Sequence, residues 1–277
     1  MTQHTFRKTA AGMALALALA LAGPAHAGAL EDAAAANERG DYAAALQLWQ
    51  PLADQGDAEA EAGVGRLYLF GFGVPADGAV AVQWLVRSFE HGRTGMGWLL
   101  GQMYDNGLGV TADPAAAVGW YRRAAEQGHL AAQYQLADHL FTGQGVARNL
   151  AEAATWFRIF ADLGDVTSQT ILGVMARDGT GLPQDDAAAA RWFAQAADQG
   201  YAEAQSNLGR LYDAGRGVPR SAVAAYKWLT LAATVGFPDY YPPGKDADLA
   251  ARALVAARMT AAEIAEAERL AREWRAK

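Results

Sequence analysis

Tryptophan recurs at a fixed step in this chain: Trp84, Trp120, Trp156, Trp192 and Trp228 stand 36 residues apart. Six glycines keep the same step, from Gly56 through Gly92, Gly128, Gly164 and Gly200 to Gly236. Two further series do so as well, Gly71, Gly107, Gly143, Gly179, Gly215 and Gly73, Gly109, Gly145, Gly181, Gly217. A period of this length marks a supersecondary unit that cannot bury its apolar face alone and must stack on copies of itself. The repeat therefore constrains the chain to an all-α solenoid of helix pairs.

Each unit reads as helix, Gly-rich loop, helix, tight turn. In the fifth copy the helices run roughly from Ala202 to Ala214 and from Ala222 to Val235. Asp77, Asp113, Asn149, Asp185 and Ser221 hold one register before the second helix, where a short polar side chain accepts from orphaned N–H groups of the first turn. Pro114 follows Asp113 at the first helical position, where its missing N–H is harmless. The Gly56 row suits a left-handed helix end. Val64, Leu100, Leu136, Leu172 and Leu208 form a large apolar row, each followed by a small residue: Gly65, Gly101, Ala137, Gly173 and Gly209. Ala81, Ala117, Ala153, Ala189 and Ala225 supply the small positions on the second helix. The Trp row is expected to fill the wedge between neighbouring helices.

The ends depart from the period, as solenoid caps must. Residues 28–56 form a degenerate first repeat with Asp41 in the N-cap register, no loop glycines, Leu48 in the Trp register and Trp49 one place later. Five full repeats occupy 57–236, and residues 237–277 hold a Pro-rich turn (Phe237 to Gly244) followed by capping helices. The first of these is expected at about Asp246 to Met259. The second opens on the capping box Thr260/Glu263 and runs to about Arg275.

The N-terminus reads as a secretory leader. Arg7 and Lys8 precede an apolar run from Ala10 to Ala22, too short to span a bilayer, and Ala25-His26-Ala27 is a small-residue cleavage site. Cleavage after Ala27 leaves 250 residues with 21 bases and 30 acids, a charge of −9. An acidic exported chain is a poor match for nucleic acid or anionic lipid. No integral membrane segment is expected after cleavage, and a periplasmic or secreted location follows. There is no cysteine, so packing alone must stabilise the fold.

The pattern resembles the Sel1-like repeat family, relatives of tetratricopeptide repeats with a slightly longer unit. The segments AEAQSNLGRLYDAGRGVPRSAVAAYKWLTLAATVG (Ala202–Gly236) and GQMYDNGLGVTADPAAAVGWYRRAAEQG (Gly101–Gly128) carry the resemblance. It implies a right-handed α-α superhelix of about six helix-pair repeats with C-terminal capping helices. The first helices would line a concave groove, and bacterial exported members are adaptors, envelope regulators or host-interaction factors. One cysteine-rich branch is associated with penicillin binding and β-lactamase activity. It relies on a disulfide in each repeat, and this chain has none.

Motifs for chemistry are absent. The G-x-G pairs follow helices rather than strands, and there is no G-x-S-x-G or H-E-x-x-H. His91 and His129 fall at inter-repeat turns. His139 stands in a row of Leu and Met and is expected to be half-buried and bonded to a neighbouring carbonyl or acid. Asp185 and Asp186 look like a carboxylate pair but fall at an N-cap and a helix start. No catalytic, cofactor-binding or metal-binding residue is assigned, and the chain is read as a non-enzyme.

By analogy with tetratricopeptide units, the groove rows are Ala62, Trp98, Tyr134, Thr170, Ser206 and Arg66, Gln102, Asp138, Val174, Arg210, with Phe70 and Phe141 near one edge. The candidate partner-binding residues are thus Arg66, Phe70, Trp98, Gln102, Tyr134, Asp138, Phe141 and Arg210. Exposed aromatics beside arginine are the usual make-up of an interaction hot spot. The expected function is a protein- or peptide-binding adaptor or regulator in the bacterial cell envelope. The alternative is a cell-wall or small-ligand binder with hydrolase-type activity, Trp98 and Tyr134 stacking on sugar rings; a third is a structural part of an export complex. The second full repeat is anomalous: Gly92, Gly95, Gly97 and Gly101 crowd its first helix, and Phe89 replaces the Ala of the other four copies. Either Phe89 fills the volume the glycines leave, or the glycines form a hinge.

Overall fold

The computed structural model describes residues 24–235 and 243–276. Most of the leader and most of the Pro-rich turn lie outside the described residues. Among the described residues there are fourteen helices and no strand. The chain divides into two compact units, residues 1–133 and 134–277.

The first unit holds α1 (Pro24–Glu38), α2 (Tyr42–Asp54), α3 (Ala58–Phe70), α4 (Gly78–Glu90), α5 (Thr94–Asn106), α6 (Pro114–Glu126) and the start of α7 (Leu130–Thr142). The second holds the rest of α7, then α8 (Leu150–Asp162), α9 (Val166–Asp178), α10 (Asp186–Asp198), α11 (Ala202–Ala214), α12 (Ala222–Val235), α13 (Pro243–Ala256) and α14 (Ala261–Glu273). Thirteen-residue helices alternate with seven-residue loops and three-residue turns, which closes the 36-residue period. Only three residues separate α1 from α2, the shortened turn expected of a cap without loop glycines. Helix α1 already begins at Pro24 and runs through the expected cleavage site, with His26 Nε2 2.8 Å from Asp57 Oδ2.

The caps act as read from sequence. Asp41, Asp77, Asp113, Asn149, Asp185 and Ser221 each accept from a backbone N–H of the helix they precede. Each first helix of repeats one, two, four and five ends on a left-handed glycine, Gly71, Gly107, Gly179 or Gly215, with φ of 68–70°. The next loop glycine has a separate reason. A Cβ at Gly73 would press on Tyr42, and one at Gly181 on Leu150, each the first residue of the preceding second helix. Arg216 fastens the same joint further along by a bidentate bond to Asp186, at 2.8 and 2.7 Å. The C-terminal capping box forms, Thr260 and Glu263 satisfying each other's backbone N–H groups.

The wedge between the paired helices is filled one residue later than the Trp row. Trp84, Trp120, Trp156 and Trp192 are half-buried. Leu85, Tyr121, Phe157, Phe193 and Leu229, which follow the Trp row, are no more than 1% exposed. It is these side chains that the small row accommodates. A Cβ at Gly65, Gly173 or Gly209 would stand 2.8, 2.6 or 2.9 Å from Leu85, Phe193 or Leu229, and one at Gly101 would collide with Tyr121. Trp49 has therefore not slipped. It occupies the buried register of Leu85 and packs over Gly63. Half-exposed Trp faces are covered instead by cations: Arg87 lies 4.5 Å above Trp84, Arg123 4.4 Å above Trp120 and Arg158 5.5 Å above Trp192, whereas Trp228, 7% exposed, is the member of the row that is buried.

A second buried row, Glu61, Gly97, Gln133, Gln169 and Gln205, ties neighbouring repeats together. The amides of Gln133, Gln169 and Gln205 donate to the carbonyls of Ala125, Ala161 and Ala197 at 3.1, 3.0 and 3.2 Å. Each bond satisfies a carbonyl at the end of the preceding second helix. Glu61 has no N–H to give, so Arg87 donates to Ala53 in its place at 2.9 Å. The fully buried Glu61 carboxylate pairs with Arg87 (2.9 Å) and His91 (2.7 Å). In the second full repeat both members of the pair change: Gln becomes Gly97 and Ala becomes Phe89. The Phe89 ring lies 2.6 Å from where a Gly97 Cβ would stand, and Phe89 is 2% exposed. The volume-filling reading holds, with Gly97 as the partner; Gly95 faces His129 instead.

Two stability outcomes follow. Tyr121→Ala costs about 3–5 kcal/mol in a urea melt and Trp120→Ala costs less, because only Tyr121 leaves a closed cavity. A larger loss for Trp120→Ala would return the wedge to the Trp row. Phe89→Ala likewise costs about 3–5 kcal/mol, and Gly97→Gln alone destabilises by collision. Combined, they rebuild the Ala–Gln pair of the later repeats, so the double variant is more stable than either single one; additive losses in the mutant cycle would refute the pairing.

Candidate partner-binding face

Within a first helix, residues one helical step off the buried stripe are left facing outward. On α7 the stripe is Ala132, Leu136, Ala137, His139 and Leu140, and Tyr134, Asp138 and Phe141 stand outside it. The same geometry does not hold for every member of the expected rows. Ala62 and Thr170 are buried, at 0% and 3% exposure. Arg66, Phe70 and Arg210 are exposed, and Trp98, Gln102, Tyr134, Asp138, Phe141, Val174 and Ser206 are half-buried.

In the first unit the expected residues form separate contacts rather than one cluster. Phe70 leans on Phe72 at 5.6 Å, and Phe72 stacks on Tyr42 at 4.6 Å. Trp98 stacks on His129 at 5.9 Å, with its indole Nε1 buried and without an acceptor among the described residues. A larger cleft of about 680 Å³ lies away from this face, between α4 and the loop that leads to α6.

In the second unit the residues converge. Phe141 and Tyr134 both pack edge-on against Phe157, at 5.9 and 6.0 Å, and Tyr134 also meets Phe160 at 5.2 Å. A cleft of about 230 Å³ opens across three consecutive first helices, with Phe141 from α7, Thr170, Ile171 and Val174 from α9, and Glu203 from α11, beside Tyr201. Arg210 is exposed yet engaged: its guanidinium bonds Asp248 of α13 at 3.0 Å, and Ser206 donates to the same carboxylate. The chain's own capping helix thus covers the last part of the face, and Arg210 is a cap contact rather than an open groove residue. Among the described residues no group of three or more His, Asp and Glu could hold a metal ion. His139 is fully buried rather than half-buried, and its Nδ1 donates to the Gln144 carbonyl at 2.9 Å.

The sequence profile of the Sel1 repeat matches six segments, residues 37–57, 58–92, 98–129, 130–165, 166–201 and 202–237. The chain belongs to the Sel1 repeat family. A solved Sel1 repeat protein from Oxalobacter formigenes is 27% identical with a TM-score of 0.59, over 78% of this chain and 96% of that one. A protective antigen present in uropathogenic Escherichia coli strains, displaying an SLR fold, is 29% identical with a TM-score of 0.48, over 84% of this chain and 56% of that one. No curated protein matches the chain.

Of the residues expected from sequence, Phe141, Thr170 and Val174 line the cleft of the second unit, and Thr167, Ile171, Tyr201 and Glu203 line it without having been expected. The signal for Tyr201 was available. It stands where Asp57 and Asp165 serve as side-chain caps, yet α11 has no side-chain cap bond. The electrostatics of the cleft are set by burial. Burial raises the Glu203 carboxyl above its ordinary value, opposed by nearby Arg177. Burial also raises the Tyr134 hydroxyl, with Asp165, Asp138 and Tyr201 adding to it.

Burial lowers the His129 imidazole below 6.5. Its Nδ1 accepts the Ala132 N–H at 3.2 Å, a cap that requires the neutral ring. The unfolded chain binds this proton first as pH falls through 6.5. The contribution of His129 is therefore full above that pH and is lost below it. Urea midpoints at about pH 7.5 and about pH 5.5 will differ less in His129→Asn, a capping residue that does not titrate, than in the parent; equal differences would exclude this role.

Proposed function

We propose that this Sel1 repeat protein is an exported protein- or peptide-binding adaptor or regulator of the bacterial cell envelope. Its partner docks on the first-helix face of the 134–277 unit. Sel1 repeats are protein-interaction modules, and such folds are typically non-enzymatic scaffolds. The observation that carries the reading is the apolar cleft shared by α7, α9 and α11, with Phe141 at its edge. Aromatic side chains at the rim of a preformed apolar recess are the common anchors of protein interfaces. Export is supported by Arg7 and Lys8, the run from Ala10 to Ala22 and the Ala25-His26-Ala27 site. Among the described residues no helix is long and apolar enough to cross a membrane.

Cross-linked capture from the cell envelope provides the test, with the full chain compared to Phe141→Ala/Val174→Ala. A protein held by the parent and reduced at least about tenfold by the folded double variant is the expected outcome, equivalent to loss of one anchor of about 1.4 kcal/mol or more. Equal capture by both would move the site off this face.

A further inference from the structure

The cleft of the second unit carries the Glu203 carboxyl in its lining, with Arg177 acting on it from nearby, and two further carboxylates stand close to its aromatic edge. Glu203, in the first turn of α11, lines the cleft, while Asp138, one turn before Phe141 on α7, and Asp165, the cap of α9, act on the Tyr134 hydroxyl together with Tyr201 of the cleft wall. None of the three makes an ion pair among the described residues. Asp165 spends one oxygen on the Ser168 N–H at 2.7 Å. Two bases lie nearby; both have hydrogen-bond partners of their own, and Arg177 also favours the charged form of Glu203. Arg177 forks onto Asp178 at 2.7 and 2.8 Å and reaches Asn207, while Arg148 donates to the Phe141 carbonyl at 2.8 Å with its guanidinium over that ring. Apart from Thr167 and Thr170, the rest of the cleft lining is apolar or aromatic: Ile171, Val174, Phe141 and Tyr201. At about 230 Å³ the recess is smaller than the roughly 300–1,000 Å³ of pockets that enclose whole small molecules, so it suits one long side chain.

We propose that this cleft takes a lysine or arginine side chain of the protein partner. Its methylene stem lies along Ile171 and Val174, and its charge sits among Glu203, Asp138 and the Phe141 and Tyr201 rings. Such a side chain is apolar along its stem and cationic at its tip, which is the distribution the cleft complements. A carboxylate or a purely aliphatic anchor would leave the half-buried Glu203 either repelled or unpaired, and burial already disfavours its charge. The inference rests on the first-helix face being the partner-binding surface.

The test uses the full chain on an array of otherwise identical Ala/Leu-based peptides with Lys, Arg, Gln or Glu at the centre. Retention on Lys and Arg peptides at roughly tenfold lower protein concentration than on Gln or Glu peptides is expected, and the preference should shrink as salt rises. Glu203→Gln/Asp138→Asn should remove the preference, while Phe141→Ala should remove retention itself. Retention without charge preference, still abolished by Phe141→Ala, overturns the cationic partner and leaves the docking face standing. Retention indifferent to Phe141→Ala overturns both, as does failure to retain any peptide when the parent still captures its envelope partner through another surface.

Discussion

The close approach of the two helices in each repeat is the contact on which the fold depends. A glycine or alanine on the first helix lies under a large apolar side chain of the second, and in four repeats that position is glycine. Adding one carbon at Gly65, Gly173 or Gly209 would bring it within 3 Å of Leu85, Phe193 or Leu229. Interiors packed at crystal density have no slack for such an atom. A repeat with no disulfide and no closed core of its own keeps its pair angle through this contact, and each neighbour inherits the angle by stacking.

Variation between copies respects the same constraint. The Ala–Gln pair that joins successive repeats is replaced once by Phe89–Gly97, with bulk moved from one helix to the other. In the first full repeat Glu61 stands in the glutamine row, and Arg87 supplies the donor that the acid lacks. Both exchanges conserve what the joint needs, filled volume in one case and a satisfied carbonyl in the other. The crowded glycines of the second repeat thus answer to packing, and no hinge is required to explain them.

The outward faces of the first helices are under no such demand, and there the copies diverge. In the first unit Trp98 is used up in stacking on His129, and Phe70 joins an aromatic group with Phe72 and Tyr42. In the second unit the divergence leaves a recess. Helix α13 then closes the far side by setting Asp248 against Ser206 and Arg210. A cap that bonds the last repeat through the residues expected to face a partner narrows the open surface to α7 and α9 and the start of α11.

The period by itself determined the helices, their caps, the left-handed glycines and the small row, because each is a local requirement repeated at a constant step. The first-helix face, with Phe141, Asp138 and Val174 on it, came from the resemblance to tetratricopeptide units and not from the period. The period could not decide between two adjacent large residues that share the step. Trp and the Leu, Tyr or Phe after it recur equally well, yet they point about 100° apart around a helix. Only the tertiary structure shows the second one buried and the tryptophan lying half-exposed beneath a cation. Tyr201 and Glu203 joined the cleft for a related reason: the wall of a recess is supplied by three helices distant in sequence, and which side chains meet there depends on how those helices stack.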